Sequence, residues 1–293
     1  MNLSVIIVTY NSARQIAACL QSVLAQTGVT YEVIVVDNAS ADDTLAQLEK
    51  FDVRVIANRD NVGFGQGNNV GVAASRGRFV YLLNPDTRLE GNHVLADLCR
   101  QMEAQPRWGM AGTRVLSADG QSESPPAMIY PGQRHVHRDF SSLPGNIAWV
   151  LGASMVIRRE LYEKLGGFDL DFFLYSEETD FCLRMRELGF EIGYLPEITV
   201  SHIGGASESQ RDPGELSARK LKGLLRFRKK HYPPDDCVFL AKRDLHRARW
   251  RMIWNGLLAR FQPAGSTAWQ KYRQYRGIWL ISRNFLDSTQ TKR

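Results

Sequence analysis

The chain has 293 residues, of which 44% are hydrophobic and 23% charged, which is the composition of an ordinary globular protein with one large domain and a smaller appendage. Its four cysteines lie far apart with no CxxC pair, which excludes a disulfide scaffold or a cysteine-based zinc site and favours a reducing compartment. The net charge of +6 is uneven: residues 1–216 carry 18 basic and 27 acidic side chains, whereas residues 217–293 carry 19 and 4.

The first residues predict a βαβ unit. Residues 3–9 and 32–37 are β-branched runs that end in polar residues, as is typical of strands buried on both faces of a parallel sheet. Between them, residues 12–26 have apolar positions at helical spacing, and Ser12 can cap that helix. The apolar stretch at the N-terminus is too short for a signal peptide, and no later run is long enough for a transmembrane helix.

The alternation of strands and helices continues along the chain. Helices are predicted over 40–50, 68–74 and 181–188, and strands over 53–57, 79–84 and 191–200. Residues 117–146 are rich in Ser, Pro and Gly, which predicts a long loop or mobile flap, and the following segment predicts a strand leading into a helix at Arg159. The pattern predicts an α/β fold with a mostly parallel sheet, which binds ligands beyond the carboxyl ends of its strands.

Polar residues follow the first two strands, namely Thr9, Tyr10 and Asn11 after the first, and Asp37 and Asn38 after the second. Asp37 can accept hydrogen bonds from a nucleobase or a ribose, and Tyr10 can pack against the base. Each residue alone is equally consistent with a turn or a helix cap. Together they favour a nucleotide site.

A glycine-rich segment, NVGFGQGNNVG, spans residues 61–71. Its glycines allow a backbone to approach phosphates or sugars closely, but their spacing is not the dinucleotide-binding fingerprint. The alternative is a flexible turn before a helix.

Two further strand ends carry candidate metal ligands. Asn84 and Asp86 follow the strand over 79–84, and a hard divalent cation that bridges two phosphates needs only one or two protein carboxylates there. Asp86 fits that role, although it is also placed to cap a following helix. His202 follows the strand over 191–200, where it can ligate the cation, contact a diphosphate or play a structural part.

The most acidic stretch, GGFDLDFFLYSEETDFCLR, covers residues 166–184 and contains Glu177, Glu178 and Asp180 near a helix start. Clustered carboxylates repel one another, which raises the pKa of at least one of them and suits it to accept a proton from a hydroxyl. The alternative is a charged first turn that complements the helix dipole.

Seven ordered motifs within residues 1–230 resemble family 2 of the inverting glycosyltransferases, and most closely its bacterial rhamnosyltransferase-like branch. These motifs are VTYN (8–11), VVDNASADDT (35–44), NVGFGQGNN (61–69), NPDT (84–87), GASMVIRR (152–159), GGFDLDFFLYSEETDFCLR (166–184) and VSHIGGAS (200–207). The resemblance implies a GT-A fold, with a Rossmann-like nucleotide-binding half followed by an acceptor-binding half.

The resemblance also implies roles for individual residues. The positions that match the family's nucleotide-sugar site are Thr9, Tyr10, Asn11, Asp37, Asn38, Asn61, Gly65, Asn69 and Asn84. Asp86 matches the metal-binding carboxylate of the family's DxD motif, whose first carboxylate is here Asn84, and Glu178 matches the catalytic base. The family's usual Glu-Asp pair is here Glu177-Glu178, and Asp180 is a second candidate base.

The expected activity is therefore Mg²⁺- or Mn²⁺-assisted transfer of a sugar, with inversion, to a cell-envelope glycan or a lipid-linked acceptor. The branch resemblance favours rhamnose from dTDP-rhamnose. The alternatives are a UDP-hexose-dependent transferase of the same fold, a nucleotidyltransferase and a non-catalytic glycan-binding protein.

The predicted domains are a catalytic domain over 1–216, with halves 1–115 and 116–216, and a basic helical extension over 217–293. In the extension, Lys and Arg alternate with aromatic residues and leucines at helical spacing, which predicts binding to an anionic membrane surface. A solvated helical face or a protein-binding segment is the alternative, and nucleic acid is disfavoured because the acidic catalytic part would repel it. We expect a cytoplasmic protein bound peripherally at the inner face of the cytoplasmic membrane.

Overall fold

The computed structural model describes residues 1–117, 119–203, 212–263 and 265–290. The strands are β1 (Leu3–Thr9), β2 (Tyr31–Asp37), β3 (Arg54–Ala57), β4 (Phe79–Leu83), β5 (Thr87–Leu89), β6 (Trp108–Ser117), β7 (Glu123–Ser124), β8 (Ser154–Arg158) and β9 (Glu191–His202). The helices are α1 (Ile16–Leu24), α2 (Thr44–Leu48), α3 (Phe64–Ala73), α4 (Val94–Ala104), α5 (Arg159–Lys164), α6 (Glu177–Glu187), α7 (Pro213–His231), α8 (Pro234–Ala259) and α9 (Thr267–Gln290).

The strands form one mixed sheet with the order β3-β2-β1-β4-β8-β6-β9-β5, to which β7 is added beside β6. Strands β3, β2, β1 and β4 are parallel to one another. Strand β8 is antiparallel to both β4 and β6, and β9 is parallel to β6 but antiparallel to β5. The carboxyl ends of β1, β2 and β4 therefore meet at one edge, next to the beginning of β8.

Both faces of the sheet are covered, which explains the continuous apolar runs in the sequence. Along β1, Leu3, Val5 and Ile7 pack with α1 and α4, whereas Ile6 and Val8 pack on the opposite face with α3 and α6. Side chains of a strand alternate between the two faces, so a strand covered on both sides needs apolar residues at every position. The predicted α/β class is confirmed.

Several helix starts differ from the predictions. Helix α1 begins at Ile16 rather than at residue 12, and Ser12 does not cap it through its side chain; instead the Ser12 carbonyl oxygen accepts the N–H groups of Gln15 and Ile16. Helix α2 is limited to Thr44–Leu48, within the predicted 40–50. Helices α3 and α6 each begin four residues earlier than predicted. Among the described residues of 117–146, regular structure is confined to the end of β6, the short strand β7 and one turn of 3₁₀ helix.

The chain divides into two compact units. The first contains residues 1–130, 142–173 and 177–207 and includes the whole sheet; the second contains residues 131–141, 174–176 and 208–293. In the second unit, α7, α8 and α9 share a small apolar core of Leu221, Leu225, Ala241 and Leu286. None of the described helices has an apolar stretch long enough to cross a bilayer.

Candidate active site

Strand pairing brings Asn84, Asp86 and His202 together. The Asn84 N–H donates to the Ala153 carbonyl oxygen at 3.0 Å, and the pairing of β5 with β9 sets Thr87 opposite His202. As a result, His202 Nε2 lies 3.1 Å from Asp86 Oδ1 and 3.3 Å from Asn84 Nδ2. The element after Asp86 is strand β5, so Asp86 does not cap a helix.

This group fits part of a divalent cation site. The side chains of Asp86 and His202 are only 9% and 15% exposed. They offer a carboxylate oxygen and an imidazole nitrogen that lie 3.1 Å apart. Within the described ranges, no cluster of three or more His, Cys, Asp or Glu side chains could hold a metal by itself. A cation here needs oxygen ligands from elsewhere, which agrees with ions that bind protein carboxylates together with substrate phosphates.

The three acids at the start of α6 have different environments. Glu177 is 4% exposed, Glu178 is half-buried and Asp180 is completely buried. Burial, and then the neighbouring Glu178 carboxylate, raise the pKa of Glu177 well above its usual range. The Glu177 Oε2 atom is buried without a hydrogen-bond partner among the described residues.

Asp180 is occupied by an ion pair. Its Oδ2 atom accepts a hydrogen bond from Arg184 Nε at 2.8 Å, and the same guanidinium donates to the carbonyl oxygens of Leu165 and Gly167. The pair ties α6 to the segment that precedes the acid cluster. In this structure Asp180 is therefore ion-paired, and its place as the second candidate base stays a prediction.

Glu178 lies beside the edge that carries the metal-ligand candidates. A Cβ atom at Gly152 would be 3.6 Å from the Glu178 Cβ and 3.7 Å from the Phe64 ring. Gly152 directly precedes Ala153, which accepts the hydrogen bond from Asn84. Glu178 is thus the most exposed acid of the cluster, although its Oε2 atom is itself buried.

The polar residues after β1 and β2 form a closed hydrogen-bond network. Asp37 is fully buried, and its carboxylate accepts hydrogen bonds from Thr9 Oγ1 at 2.9 Å, Ser40 Oγ at 2.6 Å and the Ser40 N–H at 2.9 Å. The next residues turn sharply, since Asn11 and Ala39 both have positive φ angles, 51° and 58°. In this structure Asp37 orders the strand-end loops, and Tyr10 and Asn11 are more exposed.

Asn38 extends this network to the third strand end. Asn38 Nδ2 donates to the Gly63 carbonyl oxygen at 3.0 Å, and Asn58 Nδ2 donates to Asn38 Oδ1 at 2.8 Å. The Gly63 N–H in turn donates to Asn61 Oδ1 at 3.0 Å. These contacts hold the start of α3 against the ends of β2 and β3.

Most of the glycine-rich segment belongs to helix α3, which packs closely on the sheet. A Cβ atom at Gly71 would lie 2.4 Å from Ile6 Cγ2, and one at Gly65 would lie 2.9 Å from Phe168 Cβ. Asn69 also points inward, because its Oδ1 accepts hydrogen bonds from Tyr162 Oη at 2.5 Å and from the Phe168 N–H at 2.9 Å. Gly65 and Asn69 thus have close packing and hydrogen-bond partners within the protein, and their place in the donor site stays a prediction.

The sequence pattern of Glycosyl transferase family 2 matches residues 4–166, which is more than half of the chain. The chain belongs to this family. The glycosyltransferase is 30% identical over 236 residues to the uncharacterized protein y4gI of Sinorhizobium fredii, and the match covers 74% of this chain but only 26% of that relative. It is 26% identical to the N-acetylglucosaminyl-diphospho-decaprenol L-rhamnosyltransferase of Mycobacterium tuberculosis, over 85% of this chain and 86% of the relative.

The fold of the glycosyltransferase is the GT-A fold. A solved structure of the mannosyltransferase PcManGT from Pyrobaculum calidifontis, in complex with GDP-Man and Mn²⁺, superimposes with a TM-score of 0.60 at 16% identity. The match covers 97% of this chain and 86% of that one.

Sequence reasoning did not single out Thr87. The Thr87 hydroxyl donates to the Asn84 carbonyl oxygen at 2.6 Å and so fixes the turn that presents Asp86. The His202 motif continues into residues 204–207, which lie outside the described residues.

Proposed function

We propose that this family 2 glycosyltransferase transfers a sugar with inversion, by a single displacement, to a hydroxyl of a cell-envelope glycan or a lipid-linked acceptor. The observation that carries the proposal is the juxtaposition of Glu178 with the strand edge that bears Asn84, Asp86 and His202. An inverting transfer needs a base for the acceptor and a charged site for the leaving diphosphate, and these groups supply both.

Glu178 is the proposed catalytic base. It is the most exposed acid of the cluster, which favours it as the group that meets an acceptor hydroxyl, and its Oε2 atom is buried. The raised pKa of Glu177 disfavours a second negative charge beside the base. Glu178 removes the proton as the acceptor oxygen attacks the anomeric carbon from the face opposite the diphosphate, and no enzyme nucleophile is required.

The donor is proposed to bind across the ends of β1, β2 and β4, with its nucleoside near Thr9, Tyr10, Asn11 and the Asp37–Asn38 turn. Asp86 and His202 would hold Mg²⁺ or Mn²⁺, which would supply charge neutralisation for the leaving nucleoside diphosphate. Support for the metal comes from the Mn²⁺ in the PcManGT complex and from the donor atoms of these two residues.

Rhamnose from dTDP-rhamnose is the first candidate donor. Its support is the mycobacterial relative, whose name describes an L-rhamnosyltransferase acting on a diphospho-decaprenol acceptor. We propose that the catalytic domain covers residues 1–216 and that the basic region over 217–293 binds an anionic membrane surface at the inner face of the cytoplasmic membrane. Such membrane binding agrees with a lipid-linked acceptor.

The donor site is tested by thermal stabilisation and donor hydrolysis with dTDP-, UDP- and GDP-sugars, each with and without Mg²⁺ or Mn²⁺. Stabilisation by one nucleotide in the presence of metal, lost in Asp86→Ala, is the expected result. A protein that responds to no donor under any of these conditions would refute the transferase proposal and favour a glycan-binding function.

The base is tested with two identical substitutions at neighbouring positions. Glu178→Gln removes the proposed base and should lower kcat by about 10²- to 10⁴-fold. Glu177→Gln replaces an acid whose pKa is raised by a neutral amide of the same shape and should keep turnover within about tenfold of wild type. The opposite order of the two variants would move the base to Glu177.

A further inference from the structure

The second half of α8 carries a continuous stripe of exposed apolar side chains. Trp250, Trp254, Leu257 and Phe261, the last just beyond the end of the helix, are 73%, 65%, 49% and 88% exposed. Their spacing of four, three and four residues sets them on one side of the helix, over about 17 Å of its length. With their exposed neighbours they form a surface that we call the α8 aromatic face, made of Trp250, Ile253, Trp254, Leu257, Leu258 and Phe261.

The opposite side of α8 packs on the helical unit. Ala248, Asn255 and Ala259 are buried there, and a Cβ at Gly256 would lie 3.2 Å from the Tyr272 ring of α9. The apolar side chains of α7, by contrast, are already in the core. The α8 aromatic face is therefore exposed while the apolar side chains of α7 are largely buried. A contiguous exposed patch of this kind marks an interaction site.

The charged side chains in the sequence around this face are all basic. The sequence from Leu245 to Leu286 contains eight Lys and Arg residues and neither Asp nor Glu. Arg247 lies one turn before Trp250 on the same side of α8, and Arg249 and Arg260 lie on one flank of the stripe; all three are exposed. The surface is complementary to a partner that is apolar at its centre and anionic at its surface.

We propose that the α8 aromatic face inserts into the boundary between headgroups and acyl chains of an anionic lipid bilayer. Tryptophan and phenylalanine prefer this boundary, aliphatic side chains are desolvated by acyl chains, and arginines pair with lipid phosphates. Within residues 217–293, the membrane contact is thus confined to one side of one helix. Only the purpose of the contact, access to a lipid-linked acceptor, rests on the proposed function.

The same observations disfavour other partners. A second copy of the chain placed on this face would bring two sets of arginines together without a carboxylate between them. A nucleic acid would pair with the arginines and stack on the tryptophans, but it offers no apolar medium for Ile253, Leu257 and Leu258. The helix has to lie in the plane of the membrane, since it is not apolar enough to cross it.

Co-sedimentation of the full-length protein with vesicles tests the proposal. Wild type is expected to bind vesicles that contain phosphatidylglycerol and to bind phosphatidylcholine vesicles much more weakly, with a blue shift of tryptophan emission and quenching by brominated lipid. The triple variant Trp250→Ser, Trp254→Ser, Phe261→Ser should lose at least about tenfold in partition coefficient. Arg247→Gln and Arg249→Gln should each cost about fivefold on the anionic vesicles.

Two controls distinguish binding through the α8 aromatic face from nonspecific hydrophobic adsorption and from misfolding of the variant. Met128→Ser and Leu170→Ser remove apolar side chains of the sheet-containing unit that are 55% and 65% exposed, and they should leave vesicle binding unchanged. Donor hydrolysis without vesicles should be unchanged in the triple variant.

The proposal is overturned if the triple variant binds vesicles as wild type does. It is also overturned if wild type does not bind vesicles but forms a dimer or binds single-stranded RNA, and if the triple variant loses that dimer or that RNA binding. Vesicle binding without any response to nucleotide sugars would refute the proposed function and leave this inference standing. A response to nucleotide sugars without vesicle binding would refute this inference and leave the glycosyltransferase activity standing.

Discussion

Replacement of Glu177 by glutamine should make the enzyme more stable, and increasingly so as the pH rises. Glu177 is buried at the start of α6, beside Glu178, and both effects raise its pKa. The folded protein therefore keeps the Glu177 proton at pH values where the unfolded chain has lost it. Glutamine has the same shape and no proton to lose, so Glu177→Gln removes this cost.

The sign and size follow from proton linkage. Below the unfolded pKa of about 4.3, both states of wild type carry the proton, and the two proteins should be of similar stability. Above that value the unfolded state of wild type ionises and is favoured, by at most about 1.4 kcal/mol for each pH unit, until the folded pKa is reached. The advantage of Glu177→Gln should therefore grow as the pH rises above about 4 and become constant once the folded pKa is passed.

Urea denaturation of both proteins at several pH values measures this difference directly. Glu163→Gln is the matched control, because Glu163 is an exposed helical glutamate whose side chain is 61% accessible, and surface substitutions usually change stability by less than about 0.5 kcal/mol. A difference between Glu177→Gln and wild type that stays constant from about pH 4 upward, or that shrinks as the pH rises, would refute the raised pKa of Glu177.

Three further substitutions test the fold and the site. Gly71→Ala sets a methyl group 2.4 Å from Ile6 Cγ2 and should lower the free energy of unfolding by about 1–3 kcal/mol in urea denaturation, whereas wild-type stability would contradict the close packing of α3 on the sheet. Asp180→Asn leaves the Arg184 guanidinium without its buried counterion and should cost about 3–5 kcal/mol by the same assay; a cost near zero would contradict the structural role of Asp180. His202→Gln should weaken Mn²⁺ binding in the presence of a nucleoside diphosphate at least about tenfold in calorimetry, and unchanged affinity would remove His202 from the metal site.

The strands of the donor half were predictable because burial on both faces requires β-branched residues at every position. Helix starts were harder. The segment from Phe64 to Gly67 has the composition of a loop, and its glycines are explained only by the side chains of the sheet that approach them. Local sequence does not record such an approach, so the start of α3 was predicted too late.

Within the site, the residue types were predictable and their environments were not. Glu177, Glu178 and Asp180 stand within four positions, yet the first is buried with a raised pKa, the second is half-buried and the third is ion-paired. Those differences arise from residues distant in sequence. The contact of His202 with Asp86 likewise depends on the pairing of β5 with β9, which joins parts of the chain more than a hundred residues apart.

Each of the two units is built from non-contiguous segments of the chain, which limits how parts of the enzyme can be exchanged with those of a relative. Residues 131–141 belong to the helical unit, where His137 donates its backbone N–H to Asp236 and Tyr232 donates its hydroxyl to the Pro131 carbonyl oxygen. A chimera that exchanges only the C-terminal helices with those of a relative would leave this inserted segment with foreign partners. We therefore expect functional hybrids to require the helices and the 131–141 segment to be exchanged together, as one inherited block.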